Sequence, residues 1–142
     1  MTPRGGYWVY APDSGGKKIP ALVQADVIKR INQVAQELYA GRYTRLDIHF
    51  RGKFCYIDAY TEPNLADDWP PADWGETHEE ALECLGNSPI HLCRLRYIGN
   101  DEWGFAFYTY SQEKYELSIY PNGEFTGKPE DAFLASAVYL NN

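Results

Sequence analysis

The stretch Tyr43–Tyr60, Y-T-R-L-D-I-H-F-R-G-K-F-C-Y-I-D-A-Y, gathers the residues best suited to chemistry. Imidazole titrates near neutrality, so His49 suits general acid–base work, and Asp47, Asp58 and Tyr56 are groups that would orient it. The stretch reads as two strands joined at Arg51-Gly52, where glycine accepts the positive φ of a tight turn. That turn pairs Phe50 with Lys53, Ile48 with Cys55, Leu46 with Ile57 and Thr44 with Ala59 on an apolar face. Alternation sends His49/Phe54, Asp47/Tyr56, Arg45/Asp58 and Tyr43/Tyr60 to the opposite face. Arg45 and Asp58 are then a cross-strand ion pair. His49 also lies one residue from the turn, where a solvated histidine needs no chemical role. No reaction follows from these residues alone.

A second hairpin system has the same character. Ile90–Ile98 alternates as a strand, Gly99-Asn100-Asp101-Glu102 turns it, and Trp103–Tyr110 returns. Ser111–Lys114 turns again into Tyr115–Tyr120, and Asn122-Gly123 is the strongest hairpin signal in the chain, leading into Glu124-Phe125-Thr126. Chaining these turns gives an apolar face with Cys93/Tyr108/Leu117 and Leu95/Ala106/Ile119. The other face carries Leu92/Thr109/Glu116, Arg94/Phe107/Ser118 and Arg96/Phe105/Tyr120. His91 and Cys93 fall together on the apolar side, so the thiol–imidazole pair they suggest reads as core. A buried cysteine behaves as a small hydrophobe; Cys55 is read likewise, and Cys84 is the accessible thiol. No phosphate loop, nucleophile elbow or zinc spacing is present, and no cofactor is implied.

The two mixed faces therefore predict one sheet with a polar–aromatic side made of Arg45, Asp47, His49, Tyr56, Asp58, Tyr60, Arg94, Arg96, Phe105, Phe107, Glu116 and Tyr120. Tyrosine, phenylalanine and arginine supply large contact area at low entropic cost, which makes this side a candidate binding surface. Exposed rings and arginines also suit single-stranded nucleic acid. The net charge of -7 and sequence pI near 4.9 argue against that partner.

The remaining elements must position this sheet. Val23, Val27, Ile31, Val34, Ala35 and Leu38 form a helical stripe over 23–40, ended by Gly41. Pro129-Glu130-Asp131 opens a second helix to about residue 140, burying Phe133, Ala137 and Leu140. Between the hairpins, residues 61–88 hold eight acidic residues and no Lys or Arg, while the other 114 residues carry 13 basic and 12 acidic. This insertion includes Trp69, Trp74 and three prolines. Thr77-His78-Glu79-Glu80 has the capping-box spacing and Gly86 closes a short helix. The segment is either a solvated loop or a docking or gating element, with Asp67, Asp68 and Asp73 placed to meet Arg94 and Arg96.

At 142 residues, 44% hydrophobic and 23% charged, the chain reads as one domain, with residues 1–22 as an N-terminal arm that includes a short strand at Tyr7–Tyr10. No apolar run approaches the roughly 20 residues needed to cross a bilayer. Three spaced cysteines and an N-terminus without a signal-like stretch make the cytoplasm the expected compartment.

The strings F-R-G-K-F-C-Y-I-D-A-Y, C-R-L-R-Y-I-G, F-Y-T-Y-S-Q-E-K-Y-E and G-K-P-E-D-A-F resemble blocks of small single-domain bacterial proteins of uncharacterised function, over about residues 25–140. The resemblance implies a bacterial, cytoplasmic origin and assigns no catalytic residue. The expected architecture is α+β: a single antiparallel meander sheet of five or six strands, with an N-terminal and a C-terminal helix packed on one face. The expected function is a non-enzymatic protein-interaction domain that uses the polar–aromatic face, together with Trp69 and Trp74, for a partner or a homodimer. A small-molecule site or small enzyme on the same face is the alternative.

Overall fold

In the computed structural model, residues 15–140 are described; the strand expected at Tyr7–Tyr10, within the N-terminal arm, lies outside them. Helix α1 (Ala21–Tyr39) places Val27, Ile31 and Ala35, four residues apart, in full burial. Val23 and Val34 flank them against the core, whereas Leu38, expected in the stripe, is largely exposed. The chain continues as β1 (Arg45–Arg51), β2 (Phe54–Tyr60), α2 (His78–Gly86), β3 (Ile90–Gly99), β4 (Glu102–Thr109), β5 (Lys114–Ser118), β6 (Thr126–Gly127) and α3 (Pro129–Ser136). A 3-10 turn over Ala137–Leu140 completes the C-terminal helix where a continuous α-helix was expected. All strand pairs among the described residues are antiparallel, in the order β1-β2-β3-β4-β5, with β6 beside β4. This is an α+β meander.

Register is where the structure departs from simple alternation. The first hairpin turns at Gly52-Lys53, with Arg51 opposite Phe54 and Gly52 at φ 60. Every partner is displaced by two residues from expectation, so the faces survive but the pairs change: Arg45 meets Tyr60, Asp47 meets Asp58, and His49 meets Tyr56. In β3 the register shifts twice. Leu92 is an extra residue between the Ile57–Cys93 and Asp58–His91 pairs, and Ile98 is another between Tyr97–Trp103 and Gly99–Glu102. Each bulge moves the rest of the strand by one position, and one position exchanges the faces.

The second bulge decides the fate of β4. The expected turn at Asn100-Asp101 forms, with both residues at positive φ (53 and 58), but beyond Ile98 the pairing slips. Phe105 now lies opposite Leu95, and Phe107 opposite Cys93. Phe105 is therefore core, at 1% exposure, and Phe107 packs against the core, instead of facing the arginines. Tyr120 is also corrected. It lies beyond the end of β5, is 2% exposed, and donates from its hydroxyl to the Trp103 carbonyl at 2.8 Å. A Cβ on Gly127 would sit 2.8 Å from the Tyr120 ring, so this position requires glycine for close approach. The Asn122-Gly123 turn forms, yet the strand after it pairs with β4 rather than β5.

The core joins Ile31 and Ala35 of α1, Ile57 of β2, Leu95 of β3, Trp103 and Phe105 of β4 and Phe133 of α3. Fully burying one such large side chain contributes about 1.5–3 kcal/mol. Arg30 of α1 clasps this arrangement from outside. Its Nη1 and Nη2 reach Asp101 at 2.8 and 2.9 Å, and its Nε and Nη2 reach Glu130 at 2.9 and 2.7 Å. Asp26, one helical turn earlier, adds a third carboxylate at 3.0 Å. One guanidinium thus ties α1, the β3–β4 turn and α3 through paired, charge-assisted bonds. Burial pushes the Asp101 carboxyl up, but hydrogen bonds from Arg30 and Trp103, with the Arg30 and Lys128 charges, hold it below its ordinary value of 3.8.

Replacing Arg30 with Gln breaks both forks, leaving Glu130 without its guanidinium and Asp101 with only Lys128 and the Trp103 indole. The expected loss is about 2 kcal/mol at pH 7, a fall in melting temperature of roughly 6–8 °C. Because the folded value of Asp101 is depressed, its contribution is present above pH 3.8 and is lost as pH falls through the lower folded value. Thermal melts of both proteins should therefore begin to converge only as pH falls below 3.8; a difference in melting temperature that stays constant through acid titration would contradict the clasp.

Candidate functional site

The face opposite the core is built by the residues that alternate outward on β1 and β2 and by those that the first β3 bulge redirects. Arg94 lies opposite Tyr56 and Ala106, and Arg96 opposite Phe54 and Gly104. The Leu92 bulge buries two consecutive residues, Leu92 and Cys93, and so turns His91 to the side of Asp58. Alternation alone had placed His91 in the core with Cys93; the structure separates them. Bulges commonly re-aim a side chain in this way.

His91 Nδ1 lies 2.9 Å from Asp58 Oδ1. With the carboxylate accepting, Nδ1–H donates and Nε2 is the nitrogen left over. The backbone N–H of His91 donates to the Tyr110 hydroxyl at 2.7 Å, and its ring lies 4.6 Å from Tyr108. The Asp58 side chain is only 8% exposed and that of His91 35%, so the pair couples a buried carboxylate to a reachable imidazole. Asp47 stands directly across from Asp58, and His49 Nδ1 is 3.7 Å from Asp47 Oδ1. His49 stacks on Tyr56, with ring centroids 5.1 Å apart and planes 8° from parallel.

Beside this cluster runs a band of rings and cations. Arg94 lies over the Phe54 ring at 4.3 Å and near Tyr115 at 5.3 Å, and Tyr56 meets Tyr115 edge-on at 5.6 Å. Arg45 covers Tyr60 at 3.9 Å; the register shift takes it away from Asp58, and the expected Arg45–Asp58 ion pair is replaced by this contact. Such cation–ring contacts contribute about 0.5–1 kcal/mol each at exposed positions. Burial, with the Asp58 charge adding, raises the Tyr115 phenol well above its ordinary value, and burial also raises Tyr110. Both phenols serve as neutral hydrogen-bonding groups at ordinary pH.

Of the predicted site residues, the sheet brings together Arg45, Asp47, His49, Tyr56, Asp58 and Arg94 on one face. Arg96 shares that face but is 3% exposed, its stem beside Gly16 and its guanidinium against Gly104. Phe105 and Tyr120 belong to the core, and Phe107 packs against it. Trp69 and Trp74 pack on each other at 5.6 Å and remain exposed at 43% and 61%. No ion pair among the described residues joins Asp67, Asp68 or Asp73 to Arg94 or Arg96. Sequence reasoning missed His91, Tyr108 and Tyr115, all hidden by the bulges. A groove of about 690 Å³ lies elsewhere, between Gly41–Tyr43, Glu62–Asn64 and Tyr139, and shares no residue with the carboxylate–imidazole cluster. The groove reaches Tyr110, whose hydroxyl accepts from the His91 N–H, but none of the cluster's carboxylate or imidazole side chains lines it.

The cysteines are not part of this surface. Cys55 and Cys93 are buried and Cys84 is exposed. Burial pushes the Cys93 thiol up to about 12 and raises that of Cys55 as well. A disulfide-exchange reagent at pH 8 should therefore titrate one thiol in the native protein and three after denaturation. Cys84→Ser should abolish the native signal, whereas a second fast-reacting thiol would refute the burial of the pair. Compared with known proteins, the chain matches no family model, no curated protein and no solved structure.

Proposed function

We propose that the protein is a non-enzymatic interaction domain whose polar–aromatic sheet face binds an acidic, aromatic-bearing protein segment. The observation that carries this reading is the band Arg45–Tyr60, Arg94–Phe54–Tyr115 and His49–Tyr56, half-exposed rings already arranged against guanidinium groups. Arginine held over a ring presents planar donors to carboxylates and leaves ring edges for a further aromatic side chain. In this reading α1 and α3, which contact each other and share the core, cover the apolar side of the sheet and leave the other side to the partner. The bacterial, cytoplasmic setting implied by the sequence resemblance is part of the same reading.

The chain itself supplies a segment of the required chemistry. Residues 61–88 hold eight acidic side chains without a compensating Lys or Arg, and they display Trp69 and Trp74. The occupant we assign is this segment of a second copy, giving a homodimer through reciprocal docking. Charge complementarity makes that association salt-sensitive. A small-molecule site on the same face is the second reading, favoured by one feature, the Asp58–His91 pair with its buried carboxylate and partly exposed imidazole.

Light scattering coupled to size exclusion distinguishes these. At about 0.1 mM protein and low salt, a dimer of micromolar affinity is fully formed. The wild type should run as a dimer. Arg45→Gln with Arg94→Gln, and separately Trp69→Ala with Trp74→Ala, should raise the dissociation constant at least tenfold, by about 1.4 kcal/mol or more, with unchanged circular dichroism. A wild type that stays monomeric under these conditions overturns self-association.

A further inference from the structure

We propose that Asp47, His49 and Asp58 form a binding site for a first-row divalent cation such as zinc or manganese, with His91 as the positioning residue for Asp58. The three side chains come from two adjacent strands, and one ligand atom of each lies within 4.8 Å of the other two. Ligand atoms sit about 2.0–2.2 Å from such an ion. Small rotations of the half-exposed Asp47 and His49 side chains bring the set to that distance. One imidazole nitrogen and two carboxylate oxygens are a borderline-to-hard donor set, which suits zinc, manganese or iron(II) over copper(I). The outer side of the cluster is open to solvent, so positions remain for water or a ligand.

Two further observations point to a cation rather than to a solvated patch. Asp47 and Asp58 are directly opposed partners in the ladder, an arrangement in which like charges destabilise the sheet. Among the described residues, neither forms an ion pair with Lys or Arg. The Asp58 side chain is more than nine-tenths buried, and only its Oδ1 is engaged, by His91; Oδ2 accepts no hydrogen bond among the described residues. A buried carboxylate with one oxygen fixed by an imidazole is the outer-shell arrangement that orients a metal-binding carboxylate. Linear spacing does not disclose this set, because Asp58 joins Asp47 and His49 only through the strand pairing. The site does not depend on self-association.

The test is metal titration of the full chain after chelator treatment, by calorimetry with zinc and manganese and by visible absorption with cobalt(II). One equivalent should bind, and cobalt should give d–d bands of a mixed nitrogen–oxygen site. Asp47→Asn and His49→Gln, both at half-exposed positions that leave the core intact, should each weaken binding at least tenfold without altering circular dichroism. His91→Gln should weaken it about 10–100-fold and shift the cobalt bands, which a residue serving stability alone would not do. His78→Ala and Cys84→Ser, in the acidic segment, should leave uptake unchanged. Absence of saturable uptake of all three metals, or uptake indifferent to Asp47→Asn and His49→Gln, overturns the proposal. Cobalt bands unchanged in His91→Gln overturn the role of His91.

Discussion

The structure depends on how β3 resolves a conflict in its own sequence. It is the middle strand of the five, and its segment I-H-L-C-R-L-R-Y-I-G has apolar residues that cannot all face inward under strict alternation. Leu92 and Cys93 are consecutive and both fully buried. An extra residue at Leu92 makes that possible, and another at Ile98 lets the Asn100-Asp101 turn close while Tyr97 stays paired with Trp103. Burial of apolar area is the largest favourable term available to a chain of this size, and it outweighs the lost ladder bonds of two bulges. The arrangement of both faces is a result of this. The first bulge delivers His91 to Asp58, and the second brings Phe105 and Phe107 inward.

Around the same hairpin the polar atoms of the large core rings are satisfied. Trp103 Nε1 donates to Asp101 Oδ1 at 3.2 Å, and the Trp103 carbonyl accepts from Tyr120. Asp101 is also the carboxylate held by Arg30. The clasp, the turn and the indole are therefore one connected network, in which a single aspartate at positive φ serves as turn residue, ring acceptor and ion-pair partner. Aspartate tolerates that backbone conformation better than most residues with a Cβ.

Much of this was legible in the residues. The spacing of Val27, Ile31 and Ala35 gives α1, the Thr77–Glu80 pair gives a capping box with both bonds formed, and the Pro129 opening gives α3. The α+β class, the antiparallel sheet and the polar–aromatic character of β1 and β2 also come from pattern. The partners within that face did not, because a turn placed one residue early displaces each pair by two. The assignment of Phe105, Phe107 and Tyr120 failed for a sharper reason: period-two reasoning has no means of locating an extra residue, and one undetected bulge inverts everything beyond it. Leu38 shows the complementary limit, a residue on the apolar stripe at a helix end where no core remains to receive it.

The capping box of α2 has a wider consequence. Thr77 and Glu80 satisfy each other's backbone donors at 3.1 and 2.9 Å, and Ala81 is the only buried residue of that helix. The helix start is thus completed by its own side chains, and its ends are tethered to β2 and β3 without contributing to the core cluster. Such a module can be lengthened, exchanged or recoloured in charge by mutation while the sheet keeps its register. Sequence drift among descendants of this chain would be concentrated there, and with it any divergence in the company the protein keeps.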